Sequence, residues 1–147
     1  MSNILVDADA CPVISIIEQV SQEYQIKATY VCDTAHEMNN VNNEVIIVDQ
    51  GSDSADYKIL ELCHQDSIVI TQDYALAGLC LTKNALVIHF NGFEITNNNI
   101  DALLTSRYLN QKARKSKTKT INPKKRTIEL DEAFYTTLIE ILQNKDK

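Results

Sequence analysis

The chain has 147 residues, 44% of them apolar and 23% charged, with a formal net charge of −6. A chain of this length buries about 70% of its unfolded surface, which favours one compact domain over residues 1–147 and excludes a disordered or fibrous polymer. No apolar stretch approaches the roughly 20 residues that cross a bilayer, and Asp7 and Asp9 interrupt the N-terminal apolar run, so neither a membrane span nor a signal-peptide core is expected.

Asn3 to Val6 reads as a buried strand. Pro12 suits a first helical turn, where its missing N–H costs nothing, and Val13, Ile16, Ile17, Val20 and Tyr24 then fall on one helix face. Ile26 to Val31 alternates and is rich in β-formers, and Val45 to Val48 is a continuous apolar run; both predict strands. From Ser54 the helical period returns, with Ala55, Ile59, Leu62 and Cys63 on one side. Ser67 to Thr71 is another buried strand, Leu76, Ala77, Cys80 and Leu81 mark a short helix, and Leu86 to Phe90 is a fifth strand. Ile100, Leu103, Leu104 and Tyr108 mark a further helix, and Phe134, Leu138, Ile141 and Leu142 a terminal one. Residues 112–127 lack a hydrophobic period and are expected to form a flexible basic loop. Strands alternating with helices predict a Rossmann-like three-layer α/β sandwich with a mainly parallel sheet and additional C-terminal helices.

Cys11, Cys32, Cys63 and Cys80 are widely spaced, form no C-x-x-C pair and sit in or beside apolar runs. They are expected to be reduced thiols of a cytoplasmic protein rather than disulfides. The charge is unevenly distributed. Nine of the 14 Lys and Arg residues lie between Arg107 and Arg126, whereas residues 1–106 carry 15 acids and three lysines, a formal charge of −12. A solvated loop explains such a run; so does an arm that grips phosphates while an acidic body does something else.

In sheets of this kind, sites form beyond the carboxyl ends of the strands. Here those ends deliver acids: Asp7 and Asp9 after the first strand, Asp49, Asp53 and Asp56 after the third, and Asp73 after the fourth. Asp53 and Asp56 stand three apart at a helix start and share a face. Each taken singly reads as a cap or turn residue. Three segments aiming carboxylates at one rim call for a cation, because neighbouring like charges disfavour ionisation. Carboxylate and water ligands suit one or two Mg²⁺ or Mn²⁺ ions, which activate water against a phosphoryl group. An acidic metal centre beside a basic arm points to phosphodiester hydrolysis, with nucleic acid as partner and no membrane.

The segments Val6-Asp7-Ala8-Asp9-Ala10-Cys11-Pro12-Val13, Asp49-Gln50-Gly51 with Asp53 and Asp56, and Ile70-Thr71-Gln72-Asp73-Tyr74 resemble the YaiI/YqxD family of uncharacterised bacterial proteins. Asn91-Gly92, Asn99-Ile100 and Arg107 continue the likeness over nearly the whole chain. That family is similar to the PIN-like nucleases, which implies a PIN-like domain with Asp7, Asp9, Asp53, Asp56 and Asp73 as metal ligands. Asp7 and Asp73 would be catalytic and Thr71 would orient a carboxylate or water from behind. RNA is expected ahead of DNA, held by Arg107, Lys112, Arg114, Lys115, Lys124, Lys125 and Arg126. Ser52, Ala75 and Ile14 depart from the family's pattern, as do Arg114-Lys115-Ser116-Lys117 and Asn122-Pro123 in the basic segment, but no acid of the cluster is lost.

Three rivals stand beside this reading. Asp7-x-Asp9 after a first strand also resembles the haloacid-dehalogenase phosphatases, but that chemistry needs a lysine near the later acids and only Lys58 and Lys83 are candidates. A receiver domain would need a lysine where His89-Phe90-Asn91 stands. The third is a non-catalytic module that binds nucleic acid through residues 107–126 and uses its acids structurally or binds metal without turnover. The histidines form no triad or metal motif; Tyr74 is a candidate for stacking on a base.

Overall fold

The computed structural model describes residues 2–33, 41–50, 53–115 and 126–145. Asn3–Asp7 forms β1, whose Ile4, Leu5 and Val6 are all buried because a continuous apolar run has no face to give to water. Around it stand β2 (Ala28–Cys32), β3 (Glu44–Ile47), β4 (Ser67–Ile70), β5 (Leu86–Ile88) and β6 (Glu94–Ile95). The sheet order is β3-β2-β1-β4-β5-β6, with every neighbouring pair parallel except the antiparallel β5 and β6.

Among the described residues five helices cover the sheet: α1 (Ile14–Tyr24), α2 (Ser54–Leu62), α3 (Tyr74–Thr82), α4 (Ile100–Lys115) and α5 (Ile128–Lys145). Successive strand residues point to opposite faces. Ile4, Val6, Ile68 and Ile70 therefore pack with Val13, Ile17 and Val20 before and along α1, and with Phe134 and Leu138 of α5. Leu5, Val69 and Val87 face the other way, onto Ile59 of α2, Leu76 and Cys80 of α3, and Leu103 of α4. This is the three-layer α/β architecture read from the sequence. Each fully buried large apolar side chain, Phe134 and Leu138 among them, contributes about 1.5–3 kcal/mol.

Three expectations are corrected. β2 begins at Ala28 rather than Ile26, and all five of its residues are buried, so its alternation does not mark a wet face. The helix that begins at Ile100 continues to Lys115, which makes residues 112–115 helical instead of part of a loop. Asn110 to Lys115 contains no Gly or Pro, and a turn that is polar all round lacks the hydrophobic period without ceasing to be helix. Residues 116–125 lie outside the described residues. The third correction is β6, a two-residue strand absent from the sequence reading and joined to β5 through Gly92, whose φ is +92°. None of the four cysteines is in a disulfide among the described residues. No helix among the described residues is long and apolar enough to cross a membrane.

Candidate active site

The chain leaves β1 for α1 on one face of the sheet and leaves β4 for α3 on the other. A crevice opens where two such loops diverge, at the reversal of strand order. Register fixes what stands there. Val6 pairs with Ile70, so the next residues, Asp7 and Thr71, emerge side by side. Thr71 Oγ1 donates to Asp7 Oδ2 at 2.9 Å and accepts from the Asp73 backbone N–H at 3.0 Å. One buried hydroxyl thus ties the two acid-bearing loops together.

The remaining acids are held in different ways. Asp73 Oδ1 caps α3, accepting from the N–H groups of Ala75 at 2.9 Å and Leu76 at 3.2 Å. Both oxygens of Asp9 accept from the Asp33 N–H beyond β2, at 3.2 and 3.1 Å. Asp56 stands half-buried in the first turn of α2, while Asp53 is exposed at the N-cap position and makes no capping bond. Asp7, Asp9 and Asp73 line one cavity of about 400 Å³ together with Arg107 of α4, Tyr74 and His89. Three of the five predicted acids are therefore brought together around one space. Asp56 acts on them through its charge, and Asp53 acts on Asp56.

Burial pushes the Asp7 carboxyl up to about 6; the Thr71 hydrogen bond opposes this, and the charges of Asp56, Asp73 and Asp9 add to it. Asp56 is raised by burial and then by Asp73 and Asp53. Such a cluster repels itself and favours a cation. Among the described residues no three Asp, Glu, His or Cys side chains are set together as a ready-made metal cage. Mg²⁺ does not require one, since it is commonly held by one or two carboxylates, water and substrate phosphate. Asp7 Oδ1 and Asp73 Oδ2, which accept no hydrogen bond among the described residues, fit that donor set. Thr71→Val is expected to lower stability by about 1–2 kcal/mol, read as a fall in melting temperature. It should also raise the Asp7 pKa further, read by carboxyl NMR titration; both quantities unchanged would deny Thr71 this role.

The basic residues divide. Arg107 lies on the cavity with its side chain exposed. Lys112, Arg114 and Lys115 stand on the last turns of α4, and Lys124 and Lys125 lie outside the described residues. Arg126, read from the sequence as a phosphate ligand, is held internally. Its guanidinium donates to Phe90 O at 2.6 Å, Asn91 Oδ1 at 3.0 Å and Asp131 Oδ1 at 2.6 Å, which pins the turn after β5 to the start of α5. The two lysines that are candidates for phosphatase chemistry are engaged away from the cavity lining. Lys58 pairs with Glu61 at 3.4 Å, and Lys83 Nζ donates to Leu60 O at 2.6 Å.

Sequence reasoning passed over His89. It stands one residue beyond β5, and the strand-end rule that singled out the acids applies to it equally. Burial, and then the nearby charge of Arg126, push its pKa down to about 4. Burial pushes the thiol of Cys11, near Asp7, up to about 12, away from the thiolate form.

Fold and cleft together define a three-layer α/β protein with an acid-lined crevice at the reversal of strand order. The chain belongs to the YaiI/YqxD family, as its motifs indicate: the model described as "Uncharacterized BCR, YaiI/YqxD family" matches residues 5–144. It is 44% identical over 133 residues to a UPF0178 protein of Clostridium acetobutylicum, covering 89% of this chain and 90% of the relative. A UPF0178 protein of Natranaerobius thermophilus is 46% identical over 139 residues, 95% of each chain. One of Oceanobacillus iheyensis is 46% identical over 129 residues, 86% of this chain and 88% of the relative. No solved structure matches the chain significantly.

Proposed function

We propose that the protein is a divalent-cation-dependent phosphodiester hydrolase acting on RNA, with the Asp7–Asp73 crevice as its active site. The observation that carries this reading is the meeting of Asp7, Asp9 and Asp73 with Arg107 on one cavity at the carboxyl edge of the sheet. The likeness of the motifs to PIN-like nucleases supports it. Bound Mg²⁺ or Mn²⁺ supplies charge stabilisation at the phosphoryl oxygens and an acidified water. Asp7 and Asp73 hold the ion, Asp9 and Asp56 deepen the negative potential that attracts it, and Thr71 keeps the two loops in register. Arg107 pairs with a flanking phosphate, and the helix-borne Lys112, Arg114 and Lys115 extend the track for the polyanion.

The test is cleavage of end-labelled RNA and DNA pools with Mn²⁺, Mg²⁺ or EDTA, alongside identically purified Asp7→Asn and Asp73→Asn proteins. Asparagine keeps the helix cap at position 73, so that variant should fold. RNA cleavage that needs the metal and is lost in both variants is expected. Millimolar metal should also raise the melting temperature of the wild type and not of Asp7→Asn. Cleavage no greater than that of the variants would replace the hydrolase with a non-catalytic nucleic-acid-binding module.

A further inference from the structure

His89 is only 8% exposed, yet it lines the cleft. Its Nδ1 accepts the Asn91 backbone N–H at 3.0 Å, which places the ring proton on Nε2. Nε2 has no hydrogen-bond partner among the described residues and is not sealed from solvent. The ring cannot easily turn. It stacks on Phe93 with centroids 4.5 Å apart and planes 13° apart, and the β5–β6 turn is closed by His89 N–H to Phe93 O and Gly92 N–H to His89 O, both 2.9 Å. Tyr74, half-buried at the start of α3, has its ring centroid 5.7 Å from that of His89 and lines the same cleft.

A fixed donor that opens on the cleft without a protein partner is set to exchange water for an acceptor on a bound ligand. We propose that Tyr74 and His89 form a subsite for one unpaired nucleobase, Tyr74 providing a stacking face and His89 Nε2–H donating to an exocyclic keto oxygen. This rests on the reading of the crevice as a nucleic-acid site and specifies which part of the substrate it reads. A base held in a duplex cannot reach a donor this deep without leaving the stack. With Nδ1 occupied, His89 has no acceptor to offer. Uracil projects keto oxygens beyond its ring and is favoured, whereas the exocyclic group of adenine is itself a donor and is rejected.

The experiment is fluorescence anisotropy with labelled oligo-U and oligo-A of equal length, in EDTA, on the full chain. Oligo-U is expected to bind about three- to tenfold more tightly than oligo-A, the range one hydrogen bond supplies. His89→Phe keeps a ring against Phe93 and should abolish the preference while leaving oligo-A affinity within about twofold. Tyr74→Leu should weaken both oligomers about fivefold or more through lost stacking, with the preference retained. The proposal is overturned by equal affinities in the wild type, by no binding of either oligomer, or by a preference that survives His89→Phe. If His89→Phe does not fold, the wild-type preference and the Tyr74→Leu response decide. Binding is read without metal and without cleavage, so a protein that never cuts RNA can show the preference, and one that cuts can lack it.

Discussion

Asp7→Asn is expected to make the protein more stable above neutrality while reducing the proposed RNA cleavage about a thousandfold or more. The Asp7 carboxyl has an ordinary value of 3.8 and stands at about 6 in the folded protein, first because it is buried and then because Asp56, Asp73 and Asp9 are near. Between those values the folded state holds the proton more tightly than the unfolded chain. Its contribution is therefore complete below about pH 4, declines as pH rises through 6, and stays lost above that, a span of at most about 3 kcal/mol. Asparagine still accepts from Thr71 Oγ1 and carries no charge. At about pH 8 the variant's melting temperature should exceed the wild type's by on the order of 5–10 °C, and the gain should vanish at about pH 4. A variant less stable at both pH values would mean that the charge on Asp7 is already matched within the cleft.

Gly92→Ala is expected to cost about 3–5 kcal/mol, measured by denaturant unfolding. The backbone at Gly92 has φ +92°, and an added Cβ would lie 2.5 Å from both Ala133 C and Phe134 N. Those are backbone atoms of α5, so no rotamer change relieves the contact and the helix has to move. Thr137 Oγ1, which donates to Gly92 O at 2.5 Å, and the buried Phe134 would move with it. The same turn carries His89, so the variant should also lose affinity for oligo-U. Stability within about 1 kcal/mol of the wild type would show that α5 yields easily here.

What could be read from the sequence is what local pattern encodes. β1 and β4 are unbroken apolar runs, and the acids that follow them sit where parallel topology places strand ends, so Asp7, Thr71 and Asp73 were legible together. β2 was displaced by two residues because both its faces are covered and alternation there carries no message. The end of α4 escapes the pattern because a run of polar residues has no hydrophobic period. Asn91-Gly92 is a strong hairpin signal, but β6 is only two residues long. Arg126 illustrates a deeper limit. Its partners Phe90 and Asn91 lie 36 and 35 residues upstream, and nothing in a basic run tells which of its members will be folded inward. Asp53, by contrast, has the right spacing from Asp56 but stands at a helix start that leaves it in solvent.

β1 is hydrogen-bonded on both edges and packed on both faces, and β4 is its direct neighbour. Backbone amides in such a position exchange with solvent only when the middle of the sheet opens, which is close to unfolding the whole domain. Asp7 and Thr71 hang from those two strands, so the floor of the cleft shares the protein's slowest-opening unit. The walls do not: Tyr74 starts a helix, and His89 rides on a hairpin at the sheet's edge. Fluctuations short of global unfolding can therefore reshape what the cleft recognises while leaving its acids where they are.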